Sequence, residues 1–274
     1  MARKLGIDDR VETMPKSEAY HTYKDHKADF QNKQSVRLIN QNKSNLGKVS
    51  KKMLEDINSE IRVKVKYNQW TNTGAVLEWF KNIENKNRST FIKFDIDNYY
   101  PSINAELLDR SINWAKSLVQ ISEEQKEVIL STKRTLLYSG GQPWTKKSDE
   151  GCDVTIGSYD GAEVCELVGL YMLSQLQQLN VNIGLYRDDG LGVTTQRPQQ
   201  VENTKKKICK IFKDNGLKIS VEANKHIVDF LDVTMDLQKN TYQPFMKPNS
   251  PLLYVNNESN HPPSILRNIP KSIN

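Results

Sequence analysis

The segment from Gly184 to Val193 contains two adjacent carboxylates between two short apolar runs. Apolar and aromatic residues precede Asp188 and Asp189, apolar residues follow them, and Gly190 stands directly behind. β-Forming residues on both sides of an Asp-Gly pair predict a tight hairpin with both acids at its tip. An Asp-Gly pair is also common in hairpins with a purely structural role, so the motif needs a second observation.

A second acidic strand end lies 93 positions before Asp188. Residues 91–96 are mostly β-formers that include Asp95, and Asn98 and Pro101 then end the strand. If the two strands are neighbours, three carboxylates converge. Crowded carboxylates repel each other unless divalent cations lie between them, and all-oxygen ligands suit Mg²⁺ or Mn²⁺. Two such ions stabilise the attacking and leaving oxygens of phosphoryl transfer, so nucleotidyl transfer or phosphodiester hydrolysis is the predicted chemistry.

The net charge of +6 is unevenly distributed along the 274 residues. Residues 1–93 contain 19 Lys and Arg against 11 Asp and Glu, whereas the rest of the chain is slightly acidic. This division suggests that one part binds a polyanion and the other binds metal ions, although solvated charged faces would also produce it. No apolar run approaches the ~20 residues that cross a bilayer. We therefore expect an intracellular protein without a membrane partner, in either nucleus or cytoplasm.

Short alternating runs in residues 20–40 predict a β-hairpin with Lys24 and Lys27 on one arm and Arg37 on the other. Such a hairpin would fold over a triphosphate, although an ordinary basic hairpin has the same pattern. Residues 140–151 are expected to form a polar, turn-rich insertion. Periodicity and caps predict helices at 44–58, 73–83, 105–121, 123–137, 160–179 (capped by Asp160 with Glu163) and 198–215, and strands at 217–221 and 227–237.

Taken in order, these segments resemble a reverse transcriptase over about residues 20–237. The matching stretches are Arg37, Phe94-Asp95-Ile96, Gly157, Tyr186-Arg187-Asp188-Asp189, Lys225 and Phe230-Leu231-Asp232-Val233. Retroelement enzymes of the Penelope-like kind are especially similar, notably at residues 24–27, 230–234 and 259–273. The chain departs from the family pattern by placing Arg187 before the paired acids and Thr155-Ile156 before Gly157.

The resemblance implies an α+β fold of the right-hand polymerase type, with fingers, a palm whose antiparallel sheet packs on helices, and a thumb that is absent or only begun. The expected divisions are a flexible arm at 1–19, fingers at 20–94, palm at 95–104, a helical insertion between fingers and palm at 105–150, palm at 151–237, and the start of a connection to the thumb at 238–274.

The resemblance also implies an RNA-directed DNA polymerase that extends a DNA primer on an RNA template with deoxynucleoside triphosphates and two Mg²⁺ ions, for which Mn²⁺ could substitute. Asp95, Asp188, Asp189 and the carbonyl of Ile96 would hold the metal ions, and Lys225 would protonate the leaving group. The implied nucleotide contacts are Lys24, Lys27, Arg37, Tyr100 and Gly157. The implied template or primer contacts are Gly161, Tyr186, Phe230 and Leu231. The Tyr100 ring would exclude a 2′-hydroxyl.

Three other functions remain open from the sequence. An RNA-dependent RNA polymerase shares the palm carboxylates, but the ring of Tyr100 argues against it. A retroelement-derived protein that binds nucleic acid without turnover would not need all three carboxylates. A two-metal nuclease would leave the basic hairpin and Tyr100 without a function. The sequence does not identify a protein partner.

Overall fold

The computed structural model describes residues 18–23, 32, 34–40, 44–134, 137–144, 152 and 154–246. Its strands are β1 (Tyr20–Tyr23), β2 (Val36–Ile39), β3 (Asn68–Gln69), β4 (Thr90–Ile96), β5 (Leu137–Ser139), β6 (Gln142–Trp144), β7 (Asn182–Tyr186), β8 (Asp189–Thr194), β9 (Ile219–Lys225), β10 (Ile227–Phe230), β11 (Val233–Asp236) and β12 (Thr241–Pro244). Its α-helices are α1 (Asn45–Val65), α2 (Thr73–Lys81), α3 (Tyr99–Ser102), α4 (Ala105–Lys116), α5 (Glu123–Ser131), α6 (Gly161–Leu176) and α7 (Pro198–Asp214).

A five-stranded sheet with the order β3-β7-β8-β4-β9 forms the centre of the fold. The edge strand β3 runs parallel to β7, and every other neighbouring pair is antiparallel. One face packs on apolar residues of α1, α4, α6 and α7. Part of the other face is covered by α2 and the hairpin of β10 and β11. The α+β class and the antiparallel sheet packed on helices are therefore confirmed.

The helices follow the predicted periodicity but differ in length. Helix α1 begins after Ser44, whose Oγ accepts a hydrogen bond from the Gly47 amide at 2.9 Å, and continues seven residues beyond the predicted end to Val65. Helices α4 and α5 end earlier than predicted, at Lys116 and Ser131. Helix α6 is apolar around most of its circumference, as expected of a helix buried at the centre of a domain.

A small hairpin that the sequence patterns did not indicate overlaps the start of the predicted turn-rich insertion. Strands β5 and β6 pair across Gly140 and Gly141, whose positive φ angles of 60° and 73° fit a tight turn. The Ala19 amide donates to the Tyr138 carbonyl at 2.8 Å, so an isolated bridge connects this hairpin to the residues just before β1. Residues 145–151 lie outside the described part of the chain.

The acidic residue at the start of α6 has a different role from the predicted cap. Asp160 is buried, and its carboxylate accepts hydrogen bonds from Lys133 at 2.5 Å, Ser50 at 2.6 Å and Thr132 at 2.9 Å. Its side chain makes no capping bond to the helix. These three donors connect α1 and the end of α5 to the start of α6, and they provide the pairing that a buried charge requires.

Candidate active site

The turn that carries the paired acids differs from the predicted Asp-Gly turn. Strands β7 and β8 are joined by Arg187 and Asp188, and Asp189 is the first residue of β8. Gly190 lies within β8, where an added Cβ would be 2.1 Å from Cζ of Phe94. Glycine is therefore required here by the aromatic ring packed against the strand rather than by the turn.

Strand register places the two predicted acidic strand ends side by side. Asp95 of β4 stands directly opposite Asp189 of β8, so their side chains share one face of the sheet with Cβ atoms about 5 Å apart. The amide of Ile96 donates to the Asp188 carbonyl at 2.9 Å, which fixes the turn against the end of β4. The predicted convergence of two strand ends is therefore present in the fold.

A cavity of about 500 Å³ opens beside these carboxylates. Asp95, Asp188, Arg37 and Tyr100 all line it, so candidate metal and nucleotide residues from three separate segments meet at one site. The cavity also has the following lining residues: Val36, Leu38, Asn40, Ile96, Asp97, Asn98, Tyr99, Pro101, Val154, Thr155 and Ile156. Arg37 is exposed on β2, where it pairs with Thr22 of β1.

One wall of the cavity forms where the end of β2 meets the segment before α6. The Asn40 amide donates to the Ile156 carbonyl at 3.0 Å. Gly157 has a φ of +106°, and an added Cβ would lie 3.2 Å from the Asn40 carbonyl oxygen. Sequence reasoning did not assign Asn40 or Thr155 to the site, because no local pattern reports a contact between segments more than 100 residues apart.

Tyr100 is held half-buried at the cavity by the packing of α3 against α6. The neighbouring Tyr99 hydroxyl donates to the Cys165 carbonyl at 2.8 Å. Burial raises the pKa of the Tyr100 phenol, and the Cys165 thiol adds to this shift, so the phenol is uncharged at neutral pH. Gly161 is buried beside the ring, and an added Cβ would lie only 2.9 Å from the Thr155 carbonyl oxygen. The side of α6 that carries Gly161 therefore packs against protein rather than facing a template or primer.

Several predicted site residues lie elsewhere. Lys225 pairs with Phe91, four residues before Asp95, which places it about 13 Å along the strand from that carboxylate. Its ammonium lies 3.2 Å from Glu222 and does not line the cavity. Lys218, which the sequence did not single out, lies at the cavity end of β9 and pairs with Asp97 at 3.4 Å.

The predicted template and primer contacts are divided between core and surface. Phe230 is only 1% exposed and packs edge-on against Trp70 at a centroid distance of 5.7 Å, so it contributes to the core rather than to a surface contact. Leu231 lies in the turn between β10 and β11 and is partly exposed. Tyr186 is partly exposed and pairs across the hairpin with Asp189. Lys24 and Lys27 lie outside the described residues.

The oxygen donors at the cavity fit a hard divalent cation. Asp95 and Asp188 line one wall, and this all-oxygen chemistry suits Mg²⁺ or Mn²⁺. Among the described residues, no three His, Cys, Asp or Glu side chains form a ready-made metal cluster. A bound ion would therefore draw part of its coordination from backbone carbonyls, phosphates or water, as Mg²⁺ in phosphate-transfer sites usually does.

The fold is similar to that of solved nucleic-acid polymerases. A C-terminally truncated apo telomerase from Candida tropicalis matches with a TM-score of 0.57 and 13% identity over 77% of this chain and 52% of its own. The RNA-dependent RNA polymerase of a human picobirnavirus matches with a TM-score of 0.55 and 12% identity over 80% and 44%. The BmCPV RNA-dependent RNA polymerase at its elongation state matches with a TM-score of 0.56 and 12% identity over 89% of this chain and 23% of its own.

The chain has a reverse-transcriptase-like polymerase fold. It spans about half or less of the length of these solved structures. No protein-family model matches the sequence, and no curated protein matches it. The narrower resemblance to Penelope-like elements and the predicted domain divisions remain predictions. Across the residues that the structure describes, no helix is both long and apolar enough to cross a membrane.

Proposed function

We propose that this chain is the core of an RNA-directed DNA polymerase, which adds deoxynucleotides to the 3′-hydroxyl of a DNA primer on an RNA template. The observation that carries the proposal is the shared cavity of Asp95, Asp188, Arg37 and Tyr100. These residues come from three separate parts of the chain, and each has the chemistry that one component of nucleotidyl transfer requires.

The carboxylates would position divalent ions between primer and nucleotide. Asp95 and Asp188 would hold two Mg²⁺ ions, assisted by Asp189 across the strand pair and by the Ile96 carbonyl. The ions supply Lewis-acid stabilisation of the attacking and leaving oxygens. Because Asp188 is fixed to β4 through the Ile96 amide, its position is set before substrate binds. Such preorganisation lowers the cost of orienting charged groups during the reaction.

Two other residues on the cavity wall would recognise the nucleotide. The guanidinium of Arg37 would pair with triphosphate oxygens, for which its planar set of donors is suited. Tyr100 would lie beneath the sugar, and its ring is held on α3 beside Gly161. A ring fixed in this way would collide with a 2′-hydroxyl and favour deoxynucleotides. The neutral phenol avoids adding another negative charge beside the triphosphate.

The test is extension of a labelled DNA primer annealed to an RNA template, with Mg²⁺ and either deoxy- or ribonucleotides. The unmodified chain should extend with deoxynucleotides, and Asp188→Asn should lose at least about 10³-fold in rate while keeping its fold and its primer–template affinity. Lys239→Gln, a charge-removing change outside the cavity, is the matched control. Tyr100→Ala should admit ribonucleotides; continued rejection of them would show that the ring is not the gate.

Two outcomes would favour other functions. The similarity to viral RNA-dependent RNA polymerases makes ribonucleotide extension by the unmodified chain the second candidate, and that result would replace the proposed nucleotide choice. Binding of primer–template without extension by this chain under any metal would favour a nucleic-acid-binding protein. Equal extension by the unmodified chain and Asp188→Asn would place the chemistry outside this cavity.

A further inference from the structure

At each of the two hairpin tips beside the proposed active site, a residue other than glycine or asparagine has a left-handed backbone conformation. The described residues include eight non-glycine residues with positive φ, and five of them are asparagines: Asn85, Asn98, Asn180, Asn224 and Asn240. Asparagine is the side-chain-bearing residue that this conformation tolerates best. The other three are Lys66, Arg187 and Leu231. Lys66 follows the end of α1, whereas Arg187 and Leu231 are the first turn residues of the β7–β8 and β10–β11 hairpins.

Arg187 is therefore a costly choice at its position. The first residue of a two-residue hairpin turn that has positive φ is usually Gly, Asn or Asp. Arg187 has a φ of 53° there, although the same chain uses Asn at comparable positions. Backbone strain of this kind is retained where the surrounding structure enforces it, and it is concentrated at functional sites.

The guanidinium of Arg187 is available to a ligand. The residue is exposed, and its guanidinium carbon lies 5.6 Å from the centre of the Tyr186 ring. The aromatic contact orients the planar group, and guanidinium N–H donors suit phosphate oxygens.

The location of Arg187 favours the primer over the incoming nucleotide. Arg187 does not line the large cavity of Asp95 and Arg37, but it lines a smaller one of about 40 Å³ together with Trp70 and Thr71. Trp70 packs on β10, and the nearby Thr73 hydroxyl donates to Asp232 in the β10–β11 turn at 3.3 Å. The same small cavity is also lined by Cys165, Glu166 and Gly169, so Arg187 borders α6 as well as the segment that packs on the second hairpin.

We propose that Arg187 binds the backbone phosphates at the 3′ end of the primer strand, next to the carboxylates that act on its terminal hydroxyl. This inference rests on the proposed polymerase function and extends it to a primer-binding residue at the β7–β8 turn. A guanidinium there would attract the phosphate backbone and hold the terminal sugar beside Asp188, with no reading of base sequence.

The test is equilibrium binding of a dideoxy-terminated DNA primer on an RNA template, followed by fluorescence anisotropy across salt concentrations. Arg187→Asn should weaken binding about tenfold and flatten the log–log salt dependence by about one unit. It should also raise Tm by about 1 to 2 °C, because asparagine relieves the left-handed strain. Lys66→Asn is the matched control: it removes the same charge and the same kind of strain elsewhere, and should leave affinity unchanged.

A modified primer locates the contact. Replacing the last phosphodiester linkages with uncharged methylphosphonates should weaken binding by the unmodified chain about tenfold, but should change binding by Arg187→Asn less than twofold. Equal losses for both proteins would overturn the proposal, as would a loss of stability in Arg187→Asn. If the unmodified chain extends primers but methylphosphonates weaken its binding no more than that of Arg187→Asn, only this inference fails. If it does not bind primer–template, the proposed function fails as well.

Discussion

The glycine behind the paired acids gives the sharpest test of how the sheet positions the site. An added Cβ at Gly190 would lie 2.1, 2.2 and 2.6 Å from three ring atoms of Phe94, whereas ordinary contacts begin near 3.4 Å. The ring or the strand must therefore move by about 1.3 Å. Phe94 is only 1% exposed and packs on Phe212 at a centroid distance of 5.4 Å, so little free space exists on its far side.

We expect Gly190→Ala to cost about 3 kcal/mol of folding free energy, at the upper end of the usual range for overpacked cores. With a denaturant dependence of about 3 to 6 kcal/mol per molar, the guanidinium chloride midpoint should fall by ~0.5 to 1 M. Primer extension should fall further than stability alone accounts for, because Gly190 pairs with Phe94 next to Asp189 and Asp95.

Two variants distinguish this steric effect from a general intolerance of alanine. Combining Gly190→Ala with Phe94→Leu should recover part of the lost stability, because the two side chains compete for one space. Gly74→Ala, on the exposed start of α2, should change stability by less than about 0.5 kcal/mol, because helix propensity favours alanine and only the Asn72 side chain lies near the new Cβ. An unchanged midpoint for Gly190→Ala would refute the steric reasoning.

Three further changes test the surrounding structure. Lys133→Met should destabilise the fold by about 3 to 5 kcal/mol in chemical denaturation, because it leaves the buried Asp160 carboxylate without its cation; adding Asp160→Asn should reduce the loss. Lys225→Ala should keep extension within about twofold, and a loss of ~10²-fold or more would instead support a general acid there. Burial raises the pKa of Glu163, so the ionised carboxylate lowers the folding stability as pH rises above about 4.5. Glu163→Gln removes this charge. The variant should therefore be more stable than the unmodified chain at pH 7, and the difference should shrink at pH 4.

Local sequence patterns determined much of the fold and part of the site. Apolar periodicity predicted the helices, and β-forming runs predicted the strands that carry Asp95 and Asp189, because these patterns report which face of an element is buried. The ordered acidic motifs also predicted that two distant strand ends meet. Four of the residues named from sequence, Asp95, Asp188, Arg37 and Tyr100, line one cavity, and their roles in binding and catalysis are proposals.

Tertiary structure decided which partner each residue of these helices and strands contacts. The sequence did not reveal that Gly190 accommodates the Phe94 ring, that Asp160 binds Lys133, or that Lys225 stands about 13 Å along β9 from the acids. Each outcome depends on strand register or on the packing of segments far apart in the chain. Sequence periodicity identifies a buried face, but the partner that covers this face is set by the packing of the whole domain.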